Sequence, residues 1–470
     1  MNKKFYITTT LPYVNSDPHI GFALEIVQAD AIARYHKLIG DELVFNTGTD
    51  EHGTKIYRAA LEQKKDPQDY TDEYAAKFDK LKEALNLSYT NFIRTTEPKH
   101  VKAAQEFWKR CAANDDIYKD TYSIKYCVGC ELEKTESELE KGKCPIHPNL
   151  EVEIVEEENY FFKWSKYQNP LLELYKANPN FVVPDSHFNE IRNFVKQGLK
   201  DFSISRLRSR LPWGVPVPGD TDHVMYVWFD ALINYISTLG WPNDETNFKD
   251  FWPGTQVAGK DNVRQQSAMW QAMLLSAGLP NSKQIFIHGF ITSRGQKISK
   301  SLGNTVDPFQ LVAQYGIDPV RYYLLREIPA YGDGDFSENR FKELYNADLA
   351  NGLGNLVARV AALCEKAGLT APEPPTEFNP HMSEHLTKFQ FNDVLTYIWG
   401  EIAQVDRKIN EEKPWELTGE ELTTALTDYV GRIQKVAFNL QPFLPETSEK
   451  ILKQFSGEIK SAPPLFPRIE

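Results

Sequence analysis

The chain is 470 residues long, more than a single hydrophobic core can use, and this length predicts about two to four domains. Its 41% hydrophobic and 25% charged residues are ordinary for a globular enzyme, and no apolar run approaches the roughly 20 residues of a membrane-spanning helix. A net charge of −12 argues against indiscriminate nucleic-acid binding, although local contacts can still bind a specific RNA. The chain starts directly with a predicted strand and no signal peptide, so we expect a cytoplasmic protein.

The first predicted elements are a strand, a helix and a second strand. Residues 5–10 are rich in β-formers and predict a buried strand. Asp17 is the predicted N-cap of the next helix, with Pro18 in the first helical position, and the helix ends just before Gly40. Residues 42–47 predict the second strand, so the chain opens with the β-α-β unit of a parallel sheet.

The alternation of strands and helices is interrupted at about residues 118–210. This stretch is rich in Glu and Lys, and it predicts an insertion into the parallel-sheet domain. Residues 224–228 and 284–288 predict further strands. From about residue 340 apolar residues recur at alternating steps of four and three, which predicts a terminal helical bundle with a proline-rich break at 371–375.

Two short segments have the composition of phosphate-binding sites. Residues 297–301, Lys-Ile-Ser-Lys-Ser, place two lysines and two hydroxyls in a predicted loop that follows the strand at 284–288. Such a loop can close over a polyphosphate and neutralise charge in the transition state. His19 and Gly21 lie near the start of the first helix, where backbone N–H groups and the helix dipole favour phosphate. Each segment alone is more typical of a surface, but together, each beside a strand, they favour one shared site.

Three of the five cysteines are close together in the sequence. Cys127 and Cys130 form one pair, and Cys144 and His147 form another, which is the spacing of a structural zinc knuckle with three Cys and one His ligand. Four protein ligands leave no open position for catalysis. The alternative interpretation is a cluster of free thiols.

Longer segments are more specific. They include Thr-Gly-Thr-Asp-Glu-His-Gly at 47–53 and Tyr-Val-Trp-Phe-Asp-Ala at 226–231, with shorter ones at 10–15, 259–262, 287–290 and 413–415. With the histidine helix start and the lysine loop, these segments resemble the methionyl-tRNA synthetase family of class I aminoacyl-tRNA synthetases over nearly the whole chain. The resemblance implies a ligase that forms methionyl-adenylate and pyrophosphate from methionine and ATP, and then transfers the methionyl group to the 3′-terminal adenosine of tRNA.

The resemblance implies an aromatic methionine pocket, in which sulfur makes favourable contacts with rings. Asp50 would hold the α-ammonium group, and a polar tip of Tyr13 or His288 could contact the sulfur. Trp228 and Tyr235, taken alone, are more typical of core packing. The implied methionine site consists of Leu11, Tyr13, Asp50, Trp228, Ala231, Leu232, Tyr235 and His288.

The resemblance also implies an ATP site in which His19, Lys297 and Lys300 are catalytic because they neutralise phosphate charge. Asp261 would bind the ribose hydroxyls, and Glu25 would face the nucleotide from the first helix. Mg²⁺ is expected to accompany ATP. The implied ATP site consists of His19, Gly21, Glu25, Gly259, Asp261, Lys297, Ser299 and Lys300.

The helical end of the chain is implied to bind the anticodon of tRNA(Met). Asn355 and Arg359 share a helix face, and Trp415, predicted at a helix start, would stack on an unpaired base. Taken alone, Asn355 and Arg359 are more typical of an ordinary helix surface. The expected partners are tRNA(Met), ATP and methionine. We expect one structural zinc ion and a monomeric protein.

Together these predictions give an α/β fold: a doubly wound, Rossmann-type parallel sheet with an inserted zinc-knuckle connective domain and a C-terminal helical anticodon-binding bundle. The predicted parts are the first half of the catalytic domain at 1–117, the insertion at 118–210, the second half of the catalytic domain at 211–290, a stem-contact region with the lysine loop at 291–340, and the bundle at 341–470.

Two positions depart from the family pattern. Phe22 stands where the first signature has a second histidine, and Ile298 stands where the lysine loop has Met. The loss of one phosphate donor can cost on the order of 10²–10³ in rate. Two alternatives stay open. One is a catalytically weakened paralogue that acts mainly as a tRNA-binding protein, which Phe22 supports, and the other is a class I synthetase for another amino acid, such as isoleucine, valine, leucine or cysteine. The compact insertion argues against the isoleucine, valine and leucine enzymes, which carry a large editing domain.

Overall fold

The computed structural model describes residues 3–130, 132–134, 138–293, 295–298 and 305–469. In these ranges the strands are β1 (Lys4–Thr9), β2 (Glu42–Thr49), β3 (Asn91–Arg94), β4 (Ile117–Cys127), β5 (Leu132–Glu133), β6 (Val152–Phe162), β7 (Val182–Val183), β8 (Phe202–Ser203), β9 (Ser205–Leu207), β10 (Pro216–Val217), β11 (Asp220–Met225), β12 (Thr255–Gly259), β13 (Gln284–His288), β14 (Ile291–Ser293), β15 (Gln296–Lys297) and β16 (Gly334–Phe336).

The α-helices in the same ranges are α1 (Ile20–Leu38), α2 (Thr54–Glu62), α3 (Pro67–Asp79), α4 (Leu81–Ala84), α5 (Pro98–Ala113), α6 (Gln168–Ala177), α7 (Asp185–Lys196), α8 (Val227–Ala231), α9 (Asn234–Ser237), α10 (Glu245–Phe251), α11 (Trp270–Ser276), α12 (Pro308–Tyr315), α13 (Ile317–Arg326), α14 (Glu338–Leu344), α15 (Asn355–Ala367), α16 (Pro380–Leu386), α17 (Phe391–Glu412), α18 (Gly419–Leu440) and α19 (Pro445–Gln454). Two π-helical segments, Gln265–Met269 and Tyr345–Gly354, precede α11 and α15.

Six parallel strands form the central sheet, in the order β3-β2-β1-β12-β13-β7. Parallel strands need cover on both faces, and the apolar side chains of the inner strands, such as Ile7, Val257 and Phe286, are fully buried. Numbered in chain order within the sheet, this order is 3-2-1-5-6-4. It reverses between β1 and β12, as in a doubly wound Rossmann-type fold, and β7 is the edge strand beside β13. The predicted fold class is confirmed.

The second half of the sheet was predicted in part. Residues 284–288 form β13, as expected. Residues 224–228 are not a strand of this sheet: β11 ends at Met225 and pairs antiparallel with β9 and β10, and α8 begins at Val227. The prediction was wrong because a short apolar and aromatic run suits a buried helical turn as well as a strand.

The strands of the region predicted as an insertion belong to three sheets, of which the smallest contains β9 beside β11 and β10. Strands β4 and β6 form a long antiparallel ribbon, from Ile117 opposite Phe162 to Cys127 opposite Val152, with β5 and β8 at its edges. Strand β7, however, pairs parallel with β13 at the edge of the central sheet. The ribbon is thus inserted in the chain between β3 and β7, which are both strands of the central sheet.

The end of the chain is helical from α14 onward, as predicted. Leu349, Leu353, Leu356 and Val360, four members of the predicted apolar repeat, are each at most 1% exposed. The proline-rich stretch at 371–375 separates α15 from α16. Among the described residues, no helix combines the length and apolar character that crossing a membrane requires.

Candidate active site

A cleft of about 930 Å³ lies at the carboxyl ends of β1 and β12, where the strand order of the central sheet reverses. Open α/β sheets bind their ligands at such a switch point. The cleft brings together every predicted methionine- and ATP-site residue outside the lysine loop. These residues are Leu11, Tyr13, His19, Gly21, Glu25, Asp50, Trp228, Ala231, Leu232, Tyr235, Gly259, Asp261 and His288.

His19 is the N-cap of α1 and faces the cleft. Its ring Nδ1 accepts a hydrogen bond from the Gly21 N–H at 3.1 Å. A ring nitrogen that accepts carries no proton, so the neutral imidazole has its proton on Nε2, where it can be donated to a phosphate oxygen. The prediction of Asp17 as N-cap and Pro18 as first helical residue was wrong, because the imidazole takes the capping position two residues later.

Gly21 and Phe22 shape the same end of the cleft. A Cβ atom on Gly21 would lie 2.9 Å from Cε1 of His19, so glycine leaves space for the capping ring. Phe22 also lines the cleft, and its ring meets that of Phe78 edge-on, with centroids 5.5 Å apart. At the position of the family's second histidine, this chain therefore offers apolar surface.

Glu25 connects two strands across the cleft. Its Oε1 accepts from the Thr10 N–H at 2.7 Å and from the Thr10 hydroxyl at 2.5 Å, while Oε2 lies 3.0 Å from Nε2 of His288. Nδ1 of His288 donates to the Gly289 carbonyl at 2.7 Å. Burial lowers the pKa of His288, but the hydrogen bond and charge of Glu25 outweigh burial and raise that pKa above its ordinary value. The geometry thus favours a doubly protonated ring.

The predicted methionine pocket has aromatic walls. The rings of Tyr13 and Trp228 meet edge-on with centroids 6.3 Å apart, and Tyr235 is buried behind them. Asp50 is 2% exposed and forms a backbone bridge with Tyr13. Because both ring nitrogens of His288 are engaged, the hydroxyl of Tyr13 is the better candidate for contact with the methionine sulfur.

A row of buried, hydrogen-bonded side chains behind this pocket was not predicted from the sequence. The Asp230 carboxylate lies between His52, whose Nδ1 is 2.6 Å away, and His100, whose Nε2 is 2.9 Å away. Burial raises the pKa of Asp230, but the two histidines reverse the shift and lower that pKa to about 2. The hydrogen bond between Asp230 and His52 joins α8, which carries Trp228, to the loop after β2. The available signal was the presence of His52 and Asp230 in the two most family-specific segments.

Gln266 was also missed. It lies in the π-helical segment Gln265–Met269, where its Oε1 accepts from Nε2 of Gln256 at 3.1 Å and its Nε2 donates to the hydroxyl of Tyr235 at 2.7 Å. This amide holds the polar end of Tyr235 in the pocket wall. Nothing in the local residue spacing indicates a π-helical turn, so Gln266 could not be predicted as part of the pocket wall.

The lysine loop starts from a hairpin at the edge of the cleft. Lys297 pairs with Thr292 through the β14–β15 hairpin, and Ile298 is buried and lines the cleft. The last described residue before the loop, Ile298, therefore borders the cleft. Ser299, Lys300 and the side chain of Lys297, three parts of the predicted ATP site, lie outside the described residues.

The four predicted zinc ligands come together. The ligand atoms of Cys127, Cys130, Cys144 and His147 all lie within 4.8 Å of one another. Gly129 allows this approach, because a Cβ atom there would lie 2.4 Å from Cγ of His147. Three thiols and an imidazole suit a tetrahedral divalent metal, so the cluster can hold a metal ion. Cys130 and His147 also line the cleft, which makes the knuckle one of its edges.

The predicted anticodon residues lie on the surface of the bundle. Asn355 is exposed at the first position of α15. The Arg359 guanidinium lies over the ring of Trp415, 5.5 Å from its centroid, and Trp415 is 55% exposed. Trp415 lies in the turn between α17 and α18, and not at a helix start as predicted. Arg359 and Trp415 together present an aromatic face with a cation beside it.

Comparisons with known proteins agree with this geometry. The family model for tRNA synthetases class I (M) matches residues 5–151 and 133–361. The methionine–tRNA ligases of Thermotoga maritima and Thermosynechococcus vestitus are each 43% identical to the chain, over 97% and 98% of it and over 76% and 91% of their own lengths. The solved structure of Mycobacterium tuberculosis methionyl-tRNA synthetase in complex with methionyl-adenylate superposes with a TM-score of 0.92 at 36% identity, covering 99% of this chain and 100% of that one.

The chain therefore belongs to the class I tRNA synthetases. Within that class, its curated relatives and the superposed structure put it among the methionine–tRNA ligases.

Proposed function

We propose that the chain charges tRNA(Met) with methionine in two steps, both in the cleft at the switch point of the central sheet. The observation that carries the proposal is the convergence in this one cleft of a helix start suited to phosphate and an aromatic pocket with a buried carboxylate. Membership of the methionine–tRNA ligases gives the reaction class, an aminoacyl-tRNA ligase that uses ATP.

In the first step a carboxylate oxygen of methionine attacks the α-phosphorus of ATP. The bond to the β-phosphate breaks, pyrophosphate leaves, and methionyl-adenylate remains. No general base is required, because the carboxylate is already ionised at neutral pH. The start of α1 and Nε2–H of His19 stabilise the developing charge, and Lys297 and Lys300 are assigned the opposite side. Mg²⁺ bound to ATP supplies further neutralisation of the phosphates.

Methionine is selected by shape and sulfur contacts. Asp50 holds the α-ammonium group, and the corner formed by Tyr13 and Trp228 receives the thioether, with about 0.3–1.5 kcal/mol available from each sulfur–ring contact. Asp261, just beyond β12, binds the ribose hydroxyls of ATP. The hydrogen bonds of Asp230 with His52 and His100 keep the Trp228 wall in place.

In the second step a ribose hydroxyl of the terminal adenosine of tRNA attacks the carbonyl carbon of the adenylate, and AMP leaves. The exposed ring of Trp415 stacks on an anticodon base, with Arg359 beside it and Asn355 as a further polar contact. Zinc is the metal assigned to the knuckle, where it has a structural role because all four positions are filled by protein.

Amino-acid-dependent ATP–pyrophosphate exchange tests the proposal. We expect exchange with methionine and none with isoleucine, valine, leucine or cysteine. Exchange with another of these amino acids would reassign the substrate. No exchange in a folded protein that still binds tRNA would favour the weakened paralogue, the alternative that Phe22 supports.

A further inference from the structure

Arg321 is a fully buried cation far from the reacting groups, on helix α13. Its Nε donates to the Phe443 carbonyl at 2.8 Å, and its Nη2 donates to the Pro442 carbonyl at 3.1 Å. Its Nη1 donates to the Leu85 carbonyl at 3.1 Å, and Nη2 also lies 2.8 Å from Oδ2 of Asp30. One guanidinium thus joins three other segments of the chain.

Asp30, on α1, is equally buried. Its Oδ1 accepts from the N–H and the hydroxyl of Ser88, both at 2.6 Å, and its Oδ2 lies 2.8 Å from both Arg321 and Arg34. Burial raises the pKa of Asp30, but the two guanidinium groups and Ser88 reverse the shift and lower that pKa below its ordinary value. Arg34 differs from Arg321 in its other contact, which is Asn86.

The segments that meet at Arg321 belong to distant parts of the molecule. Asp30 lies about 15 Å along α1 from the helix start that lines the cleft, at 1.5 Å per residue. Pro442 and Phe443 form the turn between α18 and α19. Helix α18 packs against α17, which ends three residues before Trp415. The junction therefore lies between the helix of the phosphate site and the bundle that carries the exposed tryptophan.

A second contact on α13 holds the same part of the bundle. Oδ2 of Asp318 accepts from the N–H of Thr447, in the first turn of α19, at 2.6 Å. Helix α13 thus binds both the turn that joins α18 to α19 and the first turn of α19. The turn cannot move relative to α1 without breaking buried hydrogen bonds.

The contacts of Arg321 are better explained by the relative positions that they impose on α1 and the bundle than by a gain in stability. Buried ion pairs often stabilise a fold no better than well-packed apolar residues of the same size, so stability alone is a weak reason for one. The planar arginine fork, in contrast, fixes the direction of each partner, and here three of its partners are backbone carbonyls of two different segments. The arrangement specifies the relative position of α1 and the bundle.

We infer that Arg321 and Asp30 are positioning residues for tRNA charging: they align the bundle with the cleft so that a tRNA held at Trp415 presents its 3′ end to the adenylate. This inference rests on the proposed function of the bundle. Adenylate formation uses residues of the cleft alone and does not depend on the alignment. Transfer to tRNA depends on it.

The test measures both steps in single-turnover experiments on Arg321→Lys. Lysine keeps a charge opposite Asp30 but cannot reach three carbonyls at once. We expect the rate of adenylate formation per active site to stay at the wild-type value. We expect the rate of methionyl transfer from the preformed adenylate to tRNA to fall about 10–100-fold, as a displacement of about 1 Å at the reacting atoms produces. The adenylate burst counts active sites, so loss of folded protein does not change either rate.

Two further variants sharpen the result. Arg34→Met removes the other guanidinium from Asp30 without touching the bundle, and we expect both rates to stay normal. The double variant Asp30→Asn with Arg321→Met removes both members of the buried pair and leaves Arg34 with its contact to Asn86. We expect it to lose transfer as Arg321→Lys does. Equal loss of both steps in either Arg321 variant, or unchanged transfer, would overturn the inference. Absence of adenylate formation in the wild-type protein would instead overturn the proposed function.

Discussion

Individual side chains in the cleft combine structural and chemical roles. His19 caps α1 with one ring nitrogen and presents the other to the cleft. Glu25 holds the backbone of Thr10 with one oxygen and the ring of His288 with the other. A substitution at either position can therefore change both the free energy of unfolding and the catalytic activity, and the variants below are chosen to change one without the other.

The first prediction concerns the donor role of His19. Asparagine is among the best N-caps, so His19→Asn keeps a side-chain acceptor for the helix start but removes the Nε2–H donor. We expect methionine-dependent pyrophosphate exchange to fall by about 10²–10³, while the free energy of unfolding changes by less than about 1 kcal/mol. His19→Ala is the control that loses both functions. Full exchange activity in His19→Asn would show that His19 acts only as a cap.

The second prediction concerns the pH dependence of the Glu25–His288 pair. Folding raises the pKa of His288, so the folded state binds the proton more tightly than the unfolded chain. The stabilisation is therefore complete below about pH 6.5, the ordinary histidine pKa, and is lost as the pH rises through the raised value. In urea unfolding, the difference between wild type and Glu25→Gln should shrink as the pH increases above that value.

Glu190→Gln provides the control for this measurement. Glu190 also faces a histidine, His187, at 2.9 Å, but its side chain is 56% exposed. Exposed pairs contribute little, about 0–1 kcal/mol, so this variant should differ from wild type only slightly at every pH. A pH-independent difference for Glu25→Gln would mean that Glu25 acts through Thr10 alone.

At the scale of elements, the pattern of apolar residues predicted most of the individual strands and helices but not how distant strands pair. Strands β1, β2 and β13 and the terminal helices were predicted from composition and periodicity, because burial of one face or stripe selects their apolar residues. The start of α1 was misplaced because a histidine cap competes with an ordinary Asp–Pro start. The position of β12 between β1 and β13 could not be derived from the sequence, since no local signal specifies a contact between distant strands.

In the candidate site, too, some residues were predicted from short segments of the sequence and others were not. The residues assigned to methionine and ATP lie in short segments that resemble a known family, and the cleft contains all of those outside the lysine loop. The supporting residues were not predictable in this way. His100 contacts Asp230 across 130 residues of sequence, and such a pairing exists only once the chain has folded.

The third prediction concerns the knuckle, the element that ends β4 and borders the cleft. We expect metal analysis to find about one zinc ion per chain, and none in Cys130→Ser, because the remaining ligands do not complete a tetrahedral site. Loss of the metal should lower the thermal unfolding temperature, since metal binding stabilises the folded arrangement of its ligands. Cys364→Ala, which removes a buried thiol outside the knuckle, should keep its zinc. Full zinc content in Cys130→Ser would exclude the assigned ligand set.

At the scale of the whole molecule, the two proposed tRNA contacts lie in different parts of the chain. The cleft proposed for adenylate formation lies at the switch point of the central sheet, whereas Trp415 is exposed on the helical bundle. The two steps of the reaction therefore respond differently to substitutions in the bundle.

The fourth prediction follows from this separation. Trp415→Ala removes a stacking surface worth about 1–3 kcal/mol, so kcat/KM for charging of tRNA should fall roughly 5–150-fold. Pyrophosphate exchange should stay at the wild-type level. Tyr397→Ala is the matched control, because Tyr397 is another exposed aromatic residue of the bundle, 37% exposed, with no assigned role. If both variants lower charging equally, the anticodon assignment of Trp415 is incorrect.

The order of strands in the central sheet also determines when each strand can find its neighbour during translation. Ile7 of β1 pairs with Thr255 of β12, so at about 5–20 residues per second the ribosome synthesises the second strand roughly 12–50 s after the first. During that interval β1 can pair with β2 on one side only, and its other edge offers unpaired backbone groups to any neighbouring chain. The cleft cannot be completed before β13 has been synthesised, and until β12 has been made the nascent sheet keeps an unpaired edge at β1.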